Sequence, residues 1–209
     1  MTICWSCDRD PSGSGVAANN SEASPQLLCV HCGALQPPSP DGTSFDALGL
    51  PRSMGLTRAQ VEKAFRTVSR TVHPDRFRAK SAVERRLALE HTTRVNEGYR
   101  ILKDPRRRAE YLLSLAGHDL GSEEQRTEDP ELLMAMMERT EDIDAARDVG
   151  SLEKAIADLQ SESRAHLETA RAYFDDGVGE LSDVIRRLEH NRYLVRLLER
   201  AEARLEDMQ

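Results

Sequence analysis

Four cysteines and one short loop hold most of the chemistry open to this chain. The cysteines stand as Cys4-x-x-Cys7 and Cys29-x-x-Cys32, with 21 residues between the pairs. Each Cys-x-x-Cys turn presents two sulfurs to one ion, and two turns complete the tetrahedral set that zinc prefers. With all four positions taken by thiolate, no coordination place stays open for catalysis. The expectation is one structural zinc per chain, although iron also accepts four sulfurs and ligand type alone does not separate the two. Two disulfides, or four reduced thiols, are the alternatives. Disulfides fit poorly with first residues that show neither a secretory leader nor a transit peptide. A redox pair belongs near a βαβ pattern, which is missing here. Trp5 and Leu28 stand where they could cover the sulfurs, and His31, flanked by ligands, is expected to point away.

The loop is Val72-His73-Pro74-Asp75-Arg76-Phe77. Proline lacks an amide hydrogen and restricts its predecessor, so any helix before it must stop at or before His73. The Asp75 carboxylate then sits in a stiff turn. Arg58, Lys63, Arg66 and Arg70 precede it at steps of five, three and four, a broad basic face suited to an acidic protein surface. A third group lies far downstream: Leu133, Met134, Met137, Glu138 and Glu141 share one helix face. Methionines supply adaptable contact surface, and the acids could pair with lysines on a partner. Judged by periodicity alone, such a stripe is more often core.

Helices must position these groups. Thr57 reads as an N-cap, with Val61, Ala64, Phe65, Val68 and Val72 on one face of the helix it opens. A second helix is predicted from Ser81 or Ala82 to about 103, carrying Leu87, His91, Val95, Tyr99 and Leu102 along one stripe. Asp104-Pro105 stops it and starts a short helix that Gly117 closes. Three further helices are predicted over about 130–148, 151–175 and 179–205. Their short turns make antiparallel neighbours, hence a three-helix bundle. The polar stretch Asp10 to Pro25 reads as a loop inside the cysteine unit, where the strand signal is concentrated. The organisation expected is a tetracysteine unit (1–36), a linker (37–42) rich in proline, a helical domain (43–118) and the bundle (119–209).

Composition agrees. Of 209 residues, 39% are hydrophobic, 4% aromatic and 31% charged, which suits thin helical packing and excludes a wholly disordered chain. No apolar run is long enough for a transmembrane helix. The net charge of −7 is unevenly spread: 16 Lys/Arg face 8 Asp/Glu over residues 43–118, and 12 face 24 over 119–209. A basic middle and an acidic end suit two different partners. The cysteine unit has Arg9 as its one base against four acids through residue 42. That charge would repel phosphate and argues against a zinc-ribbon nucleic-acid binder.

The His-Pro-Asp loop between two helices is preceded by Asp46-Ala47-Leu48-Gly49-Leu50. It is followed by Asn96, Tyr99 and Leu102-Lys103-Asp104-Pro105. This arrangement resembles the J domain of DnaJ co-chaperones. Residues 108–120 and the Leu132–Glu141 segment are similar to the HscB family, the J proteins of iron–sulfur cluster assembly. The likeness runs from about Thr43 to Gln209, and a paired-cysteine extension occurs in some members. The resemblance implies an all-α fold: a J-domain helical hairpin, then a three-helix bundle, with a small metal-bound ribbon-like unit at the N-terminus. It also implies a cytoplasmic co-chaperone, not an enzyme. His73, Pro74, Asp75, Arg58, Lys63, Arg66 and Arg70 would engage the ATPase of an HscA/DnaK-type chaperone, with Asp75 pairing with an arginine there. Leu133, Met134, Met137, Glu138 and Glu141 would engage an IscU-type scaffold protein, with neither nucleic acid nor membrane as partner. A general J-domain co-chaperone, or a zinc-ribbon nucleic-acid-binding protein, is the alternative function.

Overall fold

Side chains that accept hydrogen bonds from the first turn set where the helices begin. In the computed structural model, which describes residues 3–12, 27–121 and 130–208, Thr43 opens α1 (Ser44–Leu48), Thr57 opens α2 (Arg58–Val72) and Ser81 opens α3 (Ala82–Leu102). In each case the residue three places on, Asp46, Gln60 or Glu84, reaches back to the cap amide, closing a reciprocal capping box. Pro74–Phe77 forms one turn of 3₁₀ helix between α2 and α3. Then come α4 (Pro105–Leu115), α5 (Pro130–Ala145), α6 (Val149–Asp176) and α7 (Leu181–Asp207). The loop expected over 10–25 and the Asp129 cap of α5 lie largely or wholly outside the described residues.

The expected boundaries shift by a few residues at the α5–α6 turn. Asp148, read as the end of α5, instead caps α6 by accepting from the Ser151 amide at 2.8 Å. An aspartate at an N-cap satisfies an otherwise orphaned donor, and Gly150 is tolerated in the first turn. Among the described residues of the N-terminal unit, the ribbon reduces to a single antiparallel bridge, Leu28 to Leu35. The residues between are taken up by the knuckle itself.

Contacts divide the chain into two compact units. The first comprises residues 1–52 and 56–104; the second comprises 53–55 and 105–209. In the first, Phe45 and Leu48 of α1, Val61, Val68 and Val72 of α2, and Leu87, Val95 and Leu102 of α3 are buried together with Phe77. Phe65 and Tyr99 stack across α2 and α3 with centroids 4.3 Å apart. In the second, Met136, Ile143, Leu152, Leu159, Leu194, Leu197 and Ala201 form one cluster of α5, α6 and α7. Gly177, at φ 69, ends α6 and starts the reversal into α7.

Two features of these units escape sequence patterning. Arg108 is 1% exposed and donates to the Met54 carbonyl at 2.7 Å, so an arginine occupies a core position in the second unit. Asp175 holds the same short segment by accepting from the Met54 and Gly55 amides, both at 2.8 Å. In the first unit, Gly98 lets α1 lie directly on α3: a Cβ there would stand 3.0 Å from the Ser44 carbonyl oxygen and 3.5 Å from its Cα. A backbone contact cannot rotate out of the way. Gly98→Val should therefore destabilise the first unit by about 1–3 kcal/mol, against the usual gain from replacing a helical glycine. Urea unfolding followed by Trp5 fluorescence and circular dichroism would measure it, and a more stable variant would refute the close packing.

Candidate functional site

Three surfaces and one cluster carry the candidate chemistry. At the loop, the His73 ring replaces the acceptor that a continuing helix would supply: its Nδ1 accepts from the Asp75 amide at 3.3 Å. Pro74 occupies the first position of the 3₁₀ turn, where its missing amide costs nothing. Phe77 is buried and anchors the far end. Both His73 and Asp75 side chains remain exposed, at 58% and 70%, with 3.7 Å between His73 Nδ1 and Asp75 Oδ2. The turn is thus pinned by backbone and ring while the carboxylate faces water.

The four bases expected to accompany it lie along α2, all exposed. Glu62 sits between two of them, accepting from Arg58 Nε at 2.9 Å and Arg66 Nη2 at 3.3 Å. Ala59, Glu62, Lys63, Arg66, Thr67 and Arg70 line a shallow groove on this face. On α5 the stripe splits. Met136 and Ile143 turn inward to the core, while Leu133 (36% exposed), Met134 (67%) and Met137 (63%) stay in water. Glu138 and Glu141 are exposed beside them. The five residues singled out in sequence therefore form an outer face, and the core position falls to a different methionine.

The cysteine unit is built as two similar knuckles. In each, the residue after the second cysteine donates its amide to the carbonyl of the first: Asp8 to Cys4 at 3.0 Å and Gly33 to Cys29 at 2.8 Å. The first cysteine's amide in turn donates to Arg9 or Ala34, at 2.8 and 2.9 Å. This geometry needs a left-handed residue at the turn, and Gly33 (φ 70) and Asp8 (φ 57) supply it. The four sulfurs lie within 4.8 Å of one another, with Cys4–Cys32 at 3.7 Å and Cys7–Cys29 at 3.8 Å. Those separations are far beyond a disulfide. They match the edge of a tetrahedron, about 3.8 Å, drawn around a cation at about 2.3 Å from each sulfur.

Electrostatics give the same reading. Burial pushes the Cys4 thiol up. Bonds from the Ser6 and Cys7 amides and from the Cys7 and Cys32 thiols outweigh it, bringing Cys4 down to about 6. For Cys7 the Arg9 amide acts downward, but burial and the three neighbouring sulfurs prevail and push it up to about 12. Four thiolates held this close together would repel one another, a charge that a shared cation offsets. Trp5, expected to cover the sulfurs, is part-exposed and donates its indole N–H to the Leu35 carbonyl at 2.8 Å. It ties the second knuckle to the first.

Sequence reasoning did not single out Gln36. Its carboxamide donates to Cys4 Sγ at 3.3 Å, and its carbonyl oxygen lies 2.7 Å from His91 Nε2 of α3. Arg94 donates to the Ser39 carbonyl at 2.6 Å. The proline-rich stretch is thereby fastened to α3, and one residue joins the metal-type cluster to it. The available signal was His91 itself, a polar residue in an apolar stripe, which requires a buried partner.

Comparisons with known proteins follow this geometry. A DnaJ domain model matches residues 43–111, and a model of the HSCB C-terminal oligomerisation domain matches residues 128–202. A co-chaperone protein HscB homolog from Burkholderia multivorans is 41% identical over 148 residues, covering 69% of this chain and 85% of that protein. The chain belongs to the HscB co-chaperone family. An HscB homolog from Paraburkholderia xenovorans is 37% identical over the same length. Among solved structures, HscB from Vibrio cholerae superposes with a TM-score of 0.68 at 26% identity, over 80% of this chain and all of that one. Human HscB gives a TM-score of 0.80 over 97% of this chain and 98% of its own, and at 24% identity it speaks for the fold alone. Within the HscB fold the exposed His73-Pro74-Asp75 turn belongs to the DnaJ-matched span and the α5 face to the C-terminal one.

His91 generates a pH dependence. Burial holds its imidazole below the ordinary range, with the Gln36 carbonyl acting weakly in the other direction. The unfolded chain therefore binds a proton more readily than the folded one. Stability is then full above about pH 6.5 and is lost as the pH falls through that value toward the lower folded one. Wild type should lose more stability than His91→Gln between about pH 7.5 and about pH 5.5 in paired urea titrations. Equal losses would mean that the Gln36 tether does not depend on a neutral imidazole.

Proposed function

We propose that this chain stimulates ATP hydrolysis by an HscA/DnaK-type chaperone in the cytoplasm and brings it an IscU-type scaffold protein during iron–sulfur cluster assembly. The observation that carries the reading is the Asp75 carboxylate, exposed on a turn pinned by His73 and Pro74 beside the basic face of α2. A fixed carboxylate can pair with an arginine on the chaperone, while Arg58, Lys63, Arg66 and Arg70 steer an acidic surface toward it. Hydrolysis belongs to the partner; this chain contributes differential affinity for one conformation of that partner. The rigid turn matters because an already ordered loop spends less entropy on binding.

The α5 face is the second half of the proposal. Leu133, Met134 and Met137 leave apolar surface in water, with Glu138 and Glu141 at its rim, a composition suited to a scaffold protein that offers apolar contacts and lysines. Burying such a side chain returns roughly 1.5–3 kcal/mol, so a few of them suffice for a transient complex. In the N-terminal unit, Cys4, Cys7, Cys29 and Cys32 would hold one zinc. It would serve as a cross-link between the two knuckles, with Gln36 donating to one of its sulfurs.

Two measurements test the halves separately. In single-turnover ATPase assays, Asp75→Asn or His73→Gln should abolish stimulation with helicity and melting nearly unchanged, since both side chains are exposed. Full stimulation by either variant would end the chaperone reading. Truncating Leu133 and Met137 together to Ala should weaken scaffold binding by about 2 kcal/mol or more, with stimulation through Asp75 intact. A lowered melting temperature with unchanged scaffold affinity would move the binding face elsewhere.

A further inference from the structure

The α6–α7 pair brings together three side chains that the co-chaperone reading leaves without a role. Glu162 and His166 lie one turn apart on α6, His190 comes from α7, and one ligand atom of each lies within 4.8 Å of the others. Glu162 Oε1 and His190 Nε2 are 3.6 Å apart. The two imidazole rings are tilted by 54° with centroids 4.9 Å apart, so they do not stack face to face. His166 is only 6% exposed, and its buried Nδ1 meets no hydrogen-bond partner among the described residues. A buried ring nitrogen left unmatched is costly, and a bundle gains more from leucine at such a place. Something that this nitrogen can bind is the simpler account.

We propose that Glu162, His166 and His190 form a second metal site, taking a first-row divalent cation of the zinc class through two imidazole nitrogens and one carboxylate oxygen. The donor set is the one that borderline cations accept, unlike the all-sulfur set at the N-terminus. Two histidines and one glutamate leave a fourth position open to water or to a group from another molecule. Metal–ligand bonds of about 2.0–2.2 Å require donor separations of about 3.3–3.5 Å. The Glu162–His190 separation is nearly there, and a His166 ring nitrogen lies within 4.8 Å of both partners.

The surroundings fit the assignment. Arg139 of α5 donates to Glu162 Oε2 at 2.7 Å, which fixes the carboxylate and leaves Oε1 toward His190. Asp183 of α7 pairs with both Arg186 and Arg187, at 2.6 and 2.9 Å, so its carboxylate is not left over as an unpaired anion beside the site. Because Arg139 already pairs with Glu162, the affinity should fall below that of the four-thiolate site.

The test uses the full chain titrated with Co²⁺, whose thiolate charge-transfer absorption reports the cysteine cluster. The first equivalent should saturate that absorption. A second equivalent should then add ligand-field bands without further charge transfer. His190→Gln and Glu162→Gln should each weaken the second equivalent at least tenfold while leaving the first, and the circular dichroism, unchanged. His166→Phe should abolish it; because that position is buried, the half-exposed His190 variant carries the decision if the phenylalanine disturbs folding. Saturation at one cobalt per chain, or a second equivalent undiminished in His190→Gln, would overturn the proposal. Either result leaves the Asp75 and α5 assignments untouched.

Discussion

Pro74 has no amide hydrogen, and the turn between α2 and α3 is organised around that lack. A helix cannot pass through such a residue, so α2 ends at Val72 and its last carbonyls lose their helical partners. Side chains from elsewhere answer for them: Arg76 donates to the Arg70 carbonyl at 3.0 Å, and Thr92 of α3 approaches the Val72 carbonyl at 3.5 Å. The His73 ring meets the same shortage from the other side by accepting from the Asp75 amide. Phe77 then returns the chain to the core. Each of these bonds fixes backbone while none occupies the Asp75 carboxylate, so the rigidity of the turn and the exposure of its charge have one cause.

On α5, a spacing of seven separates Met136 from Ile143, and both point inward. Moving one residue along the helix rotates a side chain by about 100°. Met137, next to Met136, therefore faces water although the two are chemically identical. The helix can carry an exposed apolar face and an apolar core face at once because they fall on different sides of it. That also explains why composition alone misleads for this segment: it counts the methionines without their direction.

Most element boundaries were legible because each rests on a local interaction. Thr57, Ser81 and Pro105 mark helix starts by what their own atoms can or cannot bond, and the capping boxes close within four residues. The four-cysteine cluster was legible for the same reason, since each knuckle is a short-range motif. What sequence did not disclose is long-range. Arg108 sits on a basic, exposed-looking stretch, and only its meeting with the Met54 carbonyl, 54 positions away, makes it a core residue. Gly98 looks like an ordinary weak point of a helix until Ser44 is placed against it. Asp8 at positive φ became visible only through its equivalence with Gly33 in the second knuckle. Glu162 and His166 have the i, i+4 spacing of a ligand pair, but without α7 there is no third ligand to give that spacing meaning.

The basic face of α2 poses a question of availability, since Glu62 already bridges Arg58 and Arg66. Both arginines are largely exposed, at 78% and 68%, and water screens such pairs strongly. Exposed pairs of this kind contribute little, so an acidic partner would displace Glu62 at small cost. While they last, the bridges restrain two flexible guanidinium groups along one side of the helix and reduce the entropy a partner must still remove. Glu62 thus weakens the field only modestly while ordering the groups that produce it. The same residue in a dry setting would compete far more strongly, because a desolvated ion pair is expensive to break. The face therefore stays available while it remains wet, and any acidic surface closing over it would take up the pairing from Glu62.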